Sequence, residues 1–333
     1  MRRPHRPGRG SPPSRPDDVQ DLADNCSASV LIQSSLTLPE DSAAPRCRTD
    51  EGRINPEPEE KSVVVSTAYD IDCELNYQVH SRSTFVFKIE AAIIPCQTID
   101  NETLTISPPL PLSRYTDSLG NRTLRLTAPA GPLSVRYRAC VTLQQTSMLR
   151  ALHETDVADL PLEVLPFLTG SRYVESELIF QDAVRWIGTF DRGYARVARI
   201  CQWVRDNVRY EIGSSIPYGT TRDVLATRTG VCRDYAHVAI ALCRALNIPA
   251  RFVVGHVLWE TPPPDFHVLF EAWLDGQWLL FDPTQMAEPG KVIRIGTGFD
   301  AADLPFASIF GSAQMTRMSP LVFAHLRDGR LAA

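Results

Sequence analysis

Ala236, Ala239, Ile240, Cys243 and Leu246 recur at steps of three or four, and the pattern stops at Asn247 with Pro249 just beyond. This spacing marks the apolar face of a helix with a defined end, since proline cannot continue the backbone ladder. Strand texture follows in Ala250 to Leu258, His267 to Leu274 and Gln277 to Asp282. The last two flank Asp275-Gly276, a tight-turn dipeptide favoured because glycine accepts positive φ. A helix leading into an antiparallel sheet predicts an α+β domain. Upstream, Ala195, Ala198, Ile200, Cys201, Val204 and Val208 share a second helical face that ends at Tyr210. Thr221 to Arg228 predicts a short helix capped by Thr220 or Thr221.

A different texture precedes these helices. Ser62 to Thr67, Cys73 to Val79, Thr84 to Ile94, Thr123 to Ala128 and Leu133 to Leu143 are rich in Val, Ile, Thr, Phe and Tyr, with turn residues between them. In the last run Leu133, Val135, Tyr137, Ala139 and Val141 alternate with Ser134, Arg136, Arg138, Cys140 and Thr142, a strand with one wet face. Residues 62–145 therefore predict a small antiparallel β-sandwich. Residues 146–172, which hold Pro161, Pro166, Gly170 and Ser171, read as a linker to a second domain at 173–333. In its C-terminal extension Lys291 to Ile295 predicts a further strand, and Asp300 and Asp303 read as an ordinary turn rather than a metal site. Residues 1–61 contain no aromatic residue and nine of the chain's 26 prolines, so most of this tail is expected to be disordered. Val30 to Leu38 is its one run able to pair as a strand.

Bulk properties narrow the function. A formal charge of -5 argues against a dedicated nucleic-acid binder. Nothing approaches the roughly 20 consecutive apolar residues of a membrane helix. The N-terminus lacks an apolar h-region, so a cytoplasmic protein is expected, and the sequons at Asn25, Asn101 and Asn121 read as chance matches. The eight cysteines, Cys26, Cys47, Cys73, Cys96, Cys140, Cys201, Cys232 and Cys243, are scattered without a Cys-x-x-Cys, which fits reduced thiols.

One of these cysteines lies where a loop gives way to the patterned helix, in Thr229-Gly-Val-Cys232-Arg-Asp-Tyr-Ala236. A helix N-terminus offers positive dipole and unpaired N–H groups, which favour a thiolate. Farther on come Asp265-Phe-His267 and Phe281-Asp282-Pro283. A hairpin about Asp275-Gly276 sets position 267 opposite 284, making His267 and Asp282 diagonal neighbours within about 7–8 Å. Nucleophile, base and orienting acid then follow in the order Cys232, His267, Asp282.

Competing readings exist for each neighbour. Cys232 alone is more often a buried small hydrophobe, and Cys243 and Cys201 belong to apolar helix faces. His237 and His256 are core histidines in the simplest reading. Zinc ligation by Cys232, His237, His256 and His267 matches no closed-site spacing. Asp234 is first-turn helix charge, and Arg233-Asp234 could also shape a substrate mouth. The Cys232 N–H is the natural first oxyanion donor. Trp203 and Tyr210 could supply the second, though core and interdomain packing is the better reading of both, and neither is counted in the site.

Gly230-Val-Cys232-Arg-Asp-Tyr-Ala236 and Ala241-Leu-Cys-Arg-Ala-Leu-Asn-Ile-Pro-Ala-Arg251 resemble the core of bacterial transglutaminase-like proteins. Asp265-Phe-His267, Glu271-Ala-Trp273-Leu and Trp278-Leu-Leu-Phe-Asp282-Pro-Thr284 continue that resemblance in family order, over roughly 171–320. The preceding β segment resembles the N-terminal domain that accompanies this core in bacteria. The resemblance implies a papain-like core, with Cys232 as nucleophile, His267 as base and Asp282 as orienting acid. Arg233 stands where the animal crosslinking enzymes have tryptophan, and their calcium-binding and barrel regions have no counterpart here. The expectation is a cysteine-dependent acyl-transfer enzyme that forms a thioester from a peptide or protein amide without metal or organic cofactor. Protease or amidase hydrolysis is favoured, the alternatives being transfer to an amine and a non-catalytic interaction module that retains the fold.

Overall fold

A computed structural model of the chain describes residues 63–147, 152–188, 190–259 and 264–325. The tail at 1–61, with Val30 to Leu38 and Asn25, lies outside the described residues.

Six strands come first: β1 (Val63–Val79), β2 (Ser83–Phe87), β3 (Gln97–Ser107), β4 (Leu112–Thr116), β5 (Arg122–Ala128) and β6 (Gly131–Ser147). The two expected runs Ser62 to Thr67 and Cys73 to Val79 are one strand, β1. Asp70 and Asp72 read as a polar interruption, yet they occupy the outward positions of an unbroken alternation in which Tyr69, Ile71 and Cys73 are buried. The alternation predicted for Leu133 to Leu143 is observed over those residues of β6. β3 and β4 escaped the pattern because both are largely exposed, and β3 is broken by an irregularity after Asp100.

The second region contains α1 (Phe180–Ile187), α2 (Tyr194–Asn207), β7 (Arg209–Tyr210), α3 (Thr221–Thr227), β8 (Thr229–Gly230) and α4 (Cys232–Ala245). There follow β9 (Ala250–His256), β10 (His267–Leu274), β11 (Gln277–Phe281), β12 (Ile293–Gly298), β13 (Ala307–Phe310) and β14 (Ala313–Ala324). Four strands form an antiparallel sheet in the order β11-β10-β9-β12, and α4 packs on β10 and β9. Ala236, Ala239, Ile240 and Cys243 of α4 are fully buried. Glu271 on β10, 2% exposed, is held between Arg251 and Arg294 at 2.7 Å each, a charge triad that crosses the sheet.

Two features depart from the expected division. Residues 152–172 are packed rather than a bare tether: two short 3-10 turns lie there, and Leu160, Val164 and Phe167 are buried. The end of the chain does not extend the core. β14 pairs with β1 and β13 with β2, giving sandwich sheets of order β14-β1-β6-β3 and β13-β2-β5-β4. Strand pairing thus assigns 307–324 to the sandwich, although sequence order places it after the core.

Sandwich and core share one continuous apolar cluster. Polar contacts also join them at β12, an edge of the core sheet. The Gln97 side chain donates to the Arg294 carbonyl at 2.9 Å and accepts the Arg294 N–H at 3.0 Å. Asn121 does the same to Thr297, at 2.8 Å in both directions. Each side-chain amide copies the pairing that a neighbouring strand would supply, which blunts the edge. Asn121 is 4% exposed with both amide atoms engaged, so the folded chain offers no glycan acceptor there.

Candidate active site

α4 begins at Cys232 because the backbone turns sharply at Gly230-Val231. Asp234 reaches back so that its Oδ2 accepts the Val231 N–H at 2.9 Å, the acidic half of a capping arrangement. A Cβ on Gly230 would lie 2.6 Å from the Asp234 Cβ, so only glycine lets this turn close. Cys232 is thereby held at the first helical position, half-buried, with helix-start amides about it. Arg233 donates to Ser215 Oγ at 2.7 Å and to the Ile216 carbonyl at 2.6 Å, tying the loop after β7 to the start of α4.

His267 opens β10 and Asp282 directly follows β11. Asp275 and Gly276 both take positive φ, 48° and 76°, in the tight turn between these strands. The ladder pairs Leu274 with Gln277 and Phe270 with Phe281, so the predicted register is the one observed. His267 Nε2 and Asp282 Oδ2 lie 2.9 Å apart. Asp282 also accepts the Thr284 N–H and hydroxyl through Oδ1, at 2.8 and 2.7 Å, and the Ala287 N–H through Oδ2 at 2.8 Å. Burial alone would raise the Asp282 carboxyl; the hydrogen bond and charge of His267, with the Thr284 and Ala287 donors, hold it below its ordinary value.

Burial opposes a charged His267, but hydrogen bonding to Asp282 and Cys232 and the charges of both raise its pKa to about 9. Its Nδ1 is buried and meets no partner at ordinary hydrogen-bond length among the described residues. The Cys232 thiol is nonetheless close enough to shift the ring. Cysteine, histidine and aspartate are therefore assembled in one place by a helix start and a hairpin.

Several neighbours were not singled out as site residues by the sequence. Thr284 fixes Asp282, and the Asp-Pro-Thr run did carry a signal, since aspartate commonly binds the backbone two residues on. Tyr210, paired with Gly230 through β7 and β8, brings its hydroxyl to Cys232. The Cys232 N–H hydrogen-bonds the phenol oxygen, while burial first and then the Cys232 sulfur push the phenol up to about 12. Trp203, the other oxyanion candidate, is 6% exposed and stacks on Trp186 at 4.2 Å, a packing role. Trp259 stands edge-on to His267 at 5.3 Å and donates to the Asp265 carbonyl at 2.6 Å.

The rival histidines lie elsewhere. His237 Nε2 accepts the Ala301 N–H at 3.2 Å, and burial drives the ring down to about 3. His256 bonds the Ile89 carbonyl at 2.9 Å across the sandwich–core contact, and burial lowers it to about 4. Both are neutral packing residues, and the four-residue zinc arrangement is not assembled. Asp300 and Asp303 accept backbone N–H groups at Tyr173, Ala302 and Phe299, the turn expected of them. Cys243 and Cys201 are core, at 0% and 5% exposure.

Residues 183–283 match the family model of the transglutaminase-like superfamily, and residues 67–163 match that of the bacterial transglutaminase N-terminal domain. A solved structure from Cytophaga hutchinsonii, provisionally described as a cysteine protease, is 35% identical with a TM-score of 0.75, covering 80% of this chain and 95% of that one. An uncharacterized protein of Mycobacterium leprae is 29% identical over 135 residues, 38% of this chain and 48% of its own length. A protein-glutamine gamma-glutamyltransferase of Pseudomonas aeruginosa is 32% identical over 116 residues, 32% of this chain and 17% of its own length. The chain thus spans less than half the length of these two curated relatives.

Proposed function

The chain belongs to the transglutaminase-like superfamily, and from that membership and the site geometry we propose that it is a cysteine-dependent acyl-transfer enzyme acting on a peptide or protein amide. The observation that carries the proposal is the buried His267–Asp282 pair, 2.9 Å apart, with His267 raised to about 9 beside a cysteine at a helix start. At neutral pH such a histidine holds its proton, the form that stabilises a neighbouring thiolate and can protonate a leaving amine.

In the reaction the Cys232 sulfur attacks the amide carbon, forming the C–S bond. The oxygen that gains charge is met by the Cys232 N–H, released from the Tyr210 phenol oxygen, and by the Tyr210 hydroxyl. The C–N bond breaks as His267 passes its proton to nitrogen, leaving a thioester and a neutral imidazole. A second nucleophile gives a proton back to His267 and expels the thiolate. Asp282, fixed by Thr284 and Ala287, keeps the ring oriented through both steps.

Water as the second nucleophile gives hydrolysis, the preferred reading. Support comes from the Cytophaga hutchinsonii structure provisionally described as a cysteine protease, of which 95% is covered by the match to 80% of this chain. Transfer to a primary amine is the second reading, favoured by the match of the core to a protein-glutamine gamma-glutamyltransferase.

An amide-type thiol probe tests the catalytic assignment: stoichiometric labelling of Cys232 that is lost in His267→Ala supports it, and labelling indifferent to His267 overturns it. A glutamine-containing peptide, offered with and without a labelled primary amine, separates the readings. Release of ammonia or of a cleaved peptide alone indicates hydrolysis, whereas incorporation of label indicates transfer.

A further inference from the structure

Outside this site, three side chains of metal-binding type converge on the outer face of the sandwich. Asp70 lies on β1, Cys140 on β6, and His325 directly after β14. Asp70 and Cys140 are direct cross-strand partners, and Phe323 is opposite Asp70 on the other side. The His325 N–H donates to the Ala68 carbonyl at 3.0 Å, which holds the histidine beside β1. One donor atom from each residue, a carboxylate oxygen, Sγ and a ring nitrogen, falls within 4.8 Å of the others, the one such group among the described residues. His325 Nδ1 is 2.8 Å from Asp70 Oδ2 and 3.8 Å from Cys140 Sγ.

These separations suit a small tetrahedral ion. Zinc sits about 2.0–2.3 Å from nitrogen, oxygen and sulfur ligands, so its ligand atoms stand roughly 3.3–3.6 Å apart. The three donor atoms, all within 4.8 Å of one another, come to that spacing by side-chain rotation with the strands left in place. A thiolate with an imidazole selects a borderline-soft metal over calcium or magnesium, which prefer oxygen alone. Arg136 and Arg138, also on β6, both bind Asp72, at 2.7 and 3.3 Å.

We propose that Asp70, Cys140 and His325 form a three-residue zinc-type site that clasps the end of β14 to β1 and β6. Binding deprotonates the Cys140 thiol, releasing its proton to solvent as the metal–sulfur bond forms. No local motif marks it, because His325 stands 185 positions from Cys140 and 255 from Asp70 and meets them only through the return of β14. The ion would brace the fold, and the proposed acyl-transfer chemistry does not use it.

Cobalt(II) and zinc(II) titrations of the full chain carrying Cys232→Ala, which keeps the active-site thiol out of the measurement, test the proposal. The expected result is one equivalent of cobalt with a sulfur-to-metal charge-transfer band and strong tetrahedral visible bands. Zinc is expected to raise the melting temperature. Adding Cys140→Ser or His325→Ala should remove the charge-transfer band or weaken binding by at least about a hundredfold. Melting of Cys140→Ser without metal should stay at the parent value, since Cys140 sits on a wet face. A band that survives Cys140→Ser, or the absence of stoichiometric binding, overturns the site. So does a metal-free loss of melting temperature in Cys140→Ser as large as that in zinc, which would make the cluster an ordinary surface contact.

Discussion

His267 Nε2 donates to Asp282 Oδ2 across 2.9 Å, with the two side chains 0% and 2% exposed. A charged pair so far from water is little screened by salt. The charge on the ring therefore depends on the carboxylate.

Asp282→Asn keeps the shape and removes the charge. Burial is then opposed by Cys232 alone, and the pKa of His267 should fall from about 9. An NMR titration of the ring reads this directly. The proposed activity should fall at least about a hundredfold, since the ring loses both its charge partner and its orientation. A variant with an unmoved pKa would show that Asp282 does not control the ring.

The same pair makes stability depend on pH. His267 is raised on folding, so its contribution is complete below about 6.5 and is lost as pH rises through about 9. Asp282 is lowered, so its contribution is present above the ordinary carboxylate value and is lost as pH falls through the folded one. Melting temperature measured from pH 6 to 10 should decline, and His267→Gln should flatten much of that slope. An equal slope in the variant would place the titrating group elsewhere.

Tyr210→Phe removes a hydroxyl and almost no volume. As the second oxyanion donor it should lower kcat by about a hundredfold or more, with KM and melting temperature little changed. Unchanged kcat would return Tyr210 to a packing role beside Tyr235.

Asn121→Leu leaves the buried Thr297 N–H and carbonyl without their partners. Unfolding free energy should drop by about 2–4 kcal/mol, read by urea denaturation. A loss within a few tenths of that unit would mean that the edge of β12 finds other partners.

Local rules carried the parts of the fold where one face is buried and the other wet. The helix of Cys232 and the register of the His267 hairpin were legible because Asp275-Gly276 fixes the count between them. Counting 267 opposite 284 was enough to bring His267 and Asp282 together. Edge strands were not legible: β3 and β4 bury too little to alternate, and Asp70-Ile-Asp72 hid the continuity of β1. Contacts made through the third dimension were least visible. Nothing near Tyr210 announces that two-residue strands will carry its hydroxyl to Cys232, and nothing in Ala313 to Ala324 announces β1 as its partner. Side chains such as Gln97 and Asn121, which imitate backbone, look like any polar residue in a turn.

The pairing of β13 and β14 has a consequence for how the molecule comes into being. In chain order the core is an insertion between β6 and β13, and each sandwich sheet lacks one strand until residues 307–324 have been made. A nascent chain that has already emitted 63–147 holds two half-finished sheets, with β1 and β2 bare along one side. Bare strands invite other chains during synthesis. The sandwich thus leaves the ribosome ahead of the core yet is completed after it, its closure waiting on strands that emerge only once the core has been made.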